Sequence, residues 1–168
     1  MIYKQEAGAI ITPNREILHL FDGNPGSVDF DPEVIWTYHQ QNPGSVFALA
    51  HVHPSAMFSL SGTDEQLLKG WAIALYPWPV RVVTIAALNR QPHIIRVVET
   101  HYLGQFETKE SWLKRKFSDP LTKSRRFEII QTFRNTEEVW EEDLGITNGD
   151  FSWYGQVLLK RSYRNELD

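Results

Sequence analysis

The stretch at residues 46–53 (Val-Phe-Ala-Leu-Ala-His-Val-His) constrains the fold of this chain more than any other. It is continuously apolar and turns polar only at its two histidines, so it reads as a buried central strand whose last residues face a site. Residues i and i+2 of a strand point to the same face, and His51 and His53 therefore project together. A sheet has to be built around this strand, and the rest of the chain supplies candidates for it.

Residues 7–12 and 16–21 are short apolar runs separated by Pro13-Asn14, a turn signal, and they read as a hairpin. Residues 22–26 form a loop. Asp31-Pro32 starts a helix, with Asp as N-cap and Pro at the first helical position, which runs to about Gln41 and stops at Asn42-Pro43-Gly44. The pentapeptide Asn-Pro-Gly-Ser-Val occurs at 24–28 and again at 42–46. Its flanks do not match, so it marks two turns around one helix and not a repeat architecture. Ser61 or Thr63 caps a helix over residues 64–75, whose apolar positions Leu67, Leu68, Trp71, Ala74 and Leu75 have helical spacing. Pro77 and Pro79 end it. Residues 80–88 read as a strand, with residues 94–102 as its hairpin partner across Asn89-Arg90-Gln91-Pro92.

The order β-β-α-β-α-β-β predicts an α+β or three-layer domain over residues 1–104. Beyond it, residues 109–117 and 136–144 read as helices, and residues 127–133 and 154–163 as strands. No Gly/Ser or low-complexity linker intervenes, so residues 105–168 are expected to form a C-terminal extension packed on the same domain. Trp71, Tyr76 and Trp78 are expected in the core, and Trp112, Trp140 and Trp153 as core anchors of the extension.

Composition narrows the function. With 168 residues, 42% hydrophobic and 23% charged, the chain has the make-up of an ordinary soluble domain with a sizeable core. A net charge of -4 argues against nucleic-acid binding by bulk charge. The basic residues Lys114, Arg115, Lys116, Lys123, Arg125 and Arg126 read as a solvated face. There are no cysteines, which excludes disulfides, thiol nucleophiles and thiolate metal sites. The first residues lack an apolar signal core, and no stretch is long and apolar enough to span a bilayer. A cytoplasmic protein without a membrane partner is the expectation.

Any bound metal must therefore use imidazole and carboxylate. His51 and His53 can share one ion, and Asp64, eleven residues beyond His53, starts a predicted helix whose N-terminus favours the ionised carboxylate. Two His and one Asp leave a fourth tetrahedral position for water, the arrangement of a catalytic zinc site. Water acidified to a pKa of roughly 7 is a nucleophile at neutral pH. Such a site needs a base. Glu6, Glu16 and Glu33 are candidates; Glu6 is modestly favoured because the apolar run that follows it can pair near the histidine strand. Ser61 can donate to a developing oxyanion. His19, His39, His93 and His101 lack ligand spacing and read as surface or hydrogen-bonded residues. Met57 and Phe58, in the loop between the ligands, border the site and could hold an extended peptide.

The pattern His51-x-His53-Pro54-x6-Ser61-x2-Asp64 resembles the JAMM (MPN+) motif of zinc isopeptidases, His-x-His-x7-Ser-x2-Asp, at every spacing. Gln5-Glu6-Ala7-Gly8-Ala9-Ile10-Ile11 is similar to the family's upstream Glu and its small, glycine-containing apolar strand. Val52 stands where the family often has Ser or Thr. The resemblance implies a twisted mixed sheet between helices, three-layered α/β/α and cytidine-deaminase-like. It implies His51, His53 and Asp64 as zinc ligands, Glu6 as the base and Ser61 as the oxyanion donor. The implied activity is hydrolysis of an isopeptide or peptide bond after the C-terminal tail of a ubiquitin-like protein. The partner is then that protein, its conjugate, or another protein with an extended tail. A chain without cysteine resembles the prokaryotic or viral branch, which includes phage tail-assembly peptidases. The alternative is a non-catalytic scaffold of the same fold.

Overall fold

The computed structural model describes residues 2–23, 27–53, 61–87, 94–103, 130–134, 139–148, 157–158, 161 and 163–165. The elements, in chain order, are β1 (Ile2–Lys4), β2 (Ala7–Ile11), β3 (Ile17–Asp22), α1 (Pro32–Gln41), β4 (Ala48–His53), α2 (Gly62–Ala74), β5 (Arg81–Ala87), β6 (Ile94–Tyr102), β7 (Ile130–Arg134), β8 (Val139–Asn148) and β9 (Tyr163–Asn165). Seven strands form one mixed sheet in the order β3-β2-β4-β5-β6-β8-β7, and β1 and β9 form a two-stranded ribbon. The architecture is α+β.

The hairpin closes as its turn residues require. Arg15 takes a positive φ of 65°, and Thr12 N–H bonds the Glu16 carbonyl at 2.9 Å across the turn. At α1, the Asp31 carboxylate accepts from the Glu33 N–H at 3.0 Å, and Pro32 occupies the first turn, where a missing N–H costs nothing. β4 pairs antiparallel with β2 on one side and parallel with β5 on the other. Its residues 48 to 52 are buried on both faces, which is why the sequence there is apolar without alternation.

Alternation along the strands sorts the core into two faces. Ala7, Ala9, Ala48, Ala50, Val52, Val83 and Ile85 pack on one, together with Leu158 from the C-terminal part. Ile10, Leu49 and Val82 pack on the other, against Ile35 of α1 and Leu68 of α2. Both helices thus cover the same face, the one onto which His51 and His53 project. Among the described residues no helix is long and apolar enough to cross a membrane.

Three expectations are corrected. The stretch 136–144, read as a helix, contains the first six residues of β8, which pairs with both β6 and β7. β6 is buried on both faces from Val97 to Thr100 and its outer edge needs partners for its backbone groups. Satisfying that edge outweighs the weak helical preference of a Glu-rich segment. Residues 154–163 do not form one strand: Val157, Leu158 and Arg161 have helical backbone, and only Tyr163 belongs to β9. Tyr76 and Trp78 are exposed rather than core residues, because the turn after α2 carries them outward; Trp71 alone of the three packs against the core. β7 overlaps the strand expected at 127–133. The helix at 109–117, the turn at 89–92, the basic residues from Lys114 to Arg126, and His93, Trp112, Trp153, Met57 and Phe58 lie outside the described residues.

Candidate metal centre

The end of β4 and the start of α2 meet above the helix-covered face. His51 and His53 point the same way, as strand geometry demands, and their Nε2 atoms are 2.8 Å apart. Asp64 Oδ2 lies 3.3 Å from His51 Nε2 and 3.4 Å from His53 Nε2. Asp64 is held from below by a capping box: its N–H donates to Ser61 Oγ and its Oδ2 accepts from the Ser61 N–H, each at 3.1 Å. The cap thus aims the carboxylate at the imidazoles.

Glu6 comes from the other side of β4. Ala7 is the register partner of Val52 and Gly8 that of His51, so the next pair outward sets Glu6 level with His53. Glu6, His51 and His53 have donor atoms within 4.8 Å of one another, close enough to hold one metal ion. Glu16 and Glu33 are exposed, on the hairpin turn and in the first turn of α1, and they do not join this group. The pairing of residue 6 with a strand 45 positions later brings the separated parts together.

The two carboxyls are driven in opposite directions. Burial would raise the Asp64 pKa, but hydrogen bonds from His51 and His53, the charge of His51 and the Ser61 N–H hold it far below the usual carboxylate range. Burial raises Glu6, against the lowering influence of His51 and His53, and the Asp64 charge raises it further. Neighbouring acids pushed apart in this way suit different tasks, Asp64 as a permanent anion and Glu6 as a proton carrier.

The donor set fits a divalent first-row ion. Zinc bonds to N and O of about 2.0–2.1 Å put tetrahedral ligand atoms about 3.3 Å apart. The two His–Asp separations have that length, and the His–His separation, at 2.8 Å, is about half an ångström shorter. Three protein donors leave a coordination position open. Among the described residues, His51 Nδ1 is buried and has no hydrogen-bond partner, nor has the buried hydroxyl of Thr84, the register partner of His51 on β5. Thr84 escaped sequence reasoning because a threonine in a strand carries no signal beyond strand preference.

Gly8, the register partner of His51, leaves room for the Phe30 and Val28 side chains. A Cβ there would lie 2.9 Å from Phe30 Cζ and 3.1 Å from Val28 Cγ2. Phe30 is buried edge-on against Phe21 and cannot retreat freely. Gly8→Ala is expected to cost about 1–3 kcal/mol through overpacking, read as a lower urea midpoint at unchanged slope.

A second polar cluster, also missed, lies on the opposite face. The Arg15 and Arg81 guanidinium carbons sit 4.2 Å and 3.4 Å from the Phe47 ring centroid. Glu99 accepts from Arg15 at 3.2 Å and lies 3.5 Å from His101, and Arg15, Arg81, Glu99 and His101 are all buried. The signal was present as polar residues interrupting the apolar runs of β5 and β6.

Compared with models of protein families, with curated proteins and with solved structures, the chain matches none.

Proposed function

We propose that this protein is a zinc-dependent metallopeptidase of the JAMM type, hydrolysing an isopeptide or peptide bond after the extended tail of a ubiquitin-like protein in the cytosol. The same proposal includes the three-layer, cytidine-deaminase-like arrangement of that family. The observation that carries it is the convergence of Glu6 on His51 and His53, beside an Asp64 held by its helix cap. His51, His53 and Asp64 would hold the ion. Zinc, when bound, supplies the Lewis acidity that makes a water nucleophilic near neutral pH.

The chain's own residues do the rest. The attacking water forms a bond from its oxygen to the substrate carbonyl carbon while Glu6 takes one of its protons. Glu6 then returns that proton to the amine nitrogen as the C–N bond breaks. Ser61 Oγ uses a lone pair to accept from the Asp64 N–H, which leaves its hydroxyl proton for the developing oxyanion.

The test is elemental analysis of the purified protein together with cleavage of a ubiquitin-like fusion, with and without chelator. One zinc per chain and chelator-sensitive cleavage are expected. Stable folding with no affinity for any divalent ion would refute the reading.

Ser61 has two duties, and substitutions separate them. Ser61→Ala is expected to lower turnover by about 10²–10³-fold and to cost about 1 kcal/mol as a lost cap. Ser61→Asn keeps a capping acceptor, so thermal stability should return to within a few tenths of a kcal/mol while turnover stays low. Turnover that returns together with stability in Ser61→Asn would make Ser61 a cap alone.

A further inference from the structure

We propose that the C-terminal segment from Leu158 through β9 is the positioning element of Glu6, so that the base and the metal ligands are anchored by different parts of the chain. Three contacts bracket Glu6. On its N-terminal side, β1 pairs antiparallel with β9, Lys4 opposite Tyr163, with only Gln5 and Glu6 between β1 and β2. On its C-terminal side, Ala7 is the register partner of Asp22, whose Oδ1 accepts from Arg161 Nη2 at 2.6 Å and Nε at 3.0 Å. Beneath, Leu158 is fully buried in the same core group as Ala7 and Ala9.

A residue between two paired strands has little freedom as long as both pairings hold. β2 is secured by the main sheet, whereas β1 has no partner but β9 among the described residues. Release of β9 therefore frees the chain immediately before Glu6. His51, His53 and Asp64 are untouched by such release, since β4 and the capping box of α2 hold them. A partner that bound the C-terminal strand would weaken proton transfer without removing the metal. The functional half of this inference rests on the proposed role of Glu6; the anchoring half does not.

The test is amide hydrogen exchange on the 168-residue chain carrying Arg161→Glu. Exchange at residues 4–8 is expected to rise ~1.5- to 5-fold, the size set by one partly exposed ion pair. Amides of β4 and β5 should stay unchanged, and zinc affinity should stay within about twofold, as ligand anchoring elsewhere requires. Arg161→Lys, and separately the exchange of charges by Asp22→Arg with Arg161→Asp, should restore protection. Unchanged exchange at residues 4–8, or a uniform rise that includes β4 and β5, would overturn the proposal. Failure of the metallopeptidase reading would show instead as absent zinc binding in the unsubstituted protein, with the exchange result still decisive for the anchoring.

Discussion

Glu6→Gln is expected to keep the metal and lose the reaction. The amide is nearly isosteric with the carboxyl, so the β2–β4 pairing and the imidazoles beside it persist. What disappears is a group that can take a proton and give it back, a contribution of about 10²–10⁴-fold in turnover. Zinc content and thermal midpoint should match the unsubstituted protein. Glu16→Gln and Glu33→Gln serve as controls and should be silent, since both residues are exposed and away from the histidines. Full cleavage activity in Glu6→Gln, with zinc present, would remove Glu6 from the mechanism.

The second large effect concerns the ion itself. His51→Ala and His53→Ala each remove one of the two imidazoles that Asp64 Oδ2 approaches at 3.3 and 3.4 Å. Zinc stoichiometry should fall from one to near zero in each. Metal that binds only the folded chain stabilises it by mass action, ~4 kcal/mol when free zinc exceeds its Kd a thousandfold. For a chain of this length that corresponds to roughly 8–16 °C in Tm. Chelator should lower the Tm of the unsubstituted protein by this amount and leave the two variants unmoved. A chelator-independent Tm in all three proteins would show that the histidines hold no stabilising ion. Of the two, His51→Ala should also destabilise the apo protein, because His51 is buried while His53 is partly exposed.

Local chemistry explains which parts of this arrangement could be read in advance. The Asp31-Pro32 start, the Pro13-Asn14 turn and the capping role of Ser61 depend on residues within a few positions of one another. Each has a preferred conformation that does not wait for the rest of the chain. The same holds for the shared direction of His51 and His53, a consequence of strand pleat alone. The second half of the chain was harder because its elements are chosen by partners. The segment around Val139 is extended because β6 offers an unpaired edge, and Leu158 lies in helical backbone within the core of a distant hairpin. Arg15 meets Glu99 across 84 positions, a pairing with no local trace. Tyr76 and Trp78 reach the surface because the turn after α2 points there, whatever their apolar character.

The sequence by itself determined the kinds of donor, their spacing along the chain, and the local frames that aim each one: a strand end for the histidines and a helix cap for Asp64. Only the tertiary structure decided whether Glu6 reaches them. That depends on β2 lying antiparallel against β4 with Ala7 opposite Val52, since a slip of one residue would turn the side chain of Glu6 to the other face. The register is selected by burial of Ala7, Ala9 and Ile11 on one side and Ile10 on the other. That selection is a property of the whole sheet and its helices, and no single segment carries it.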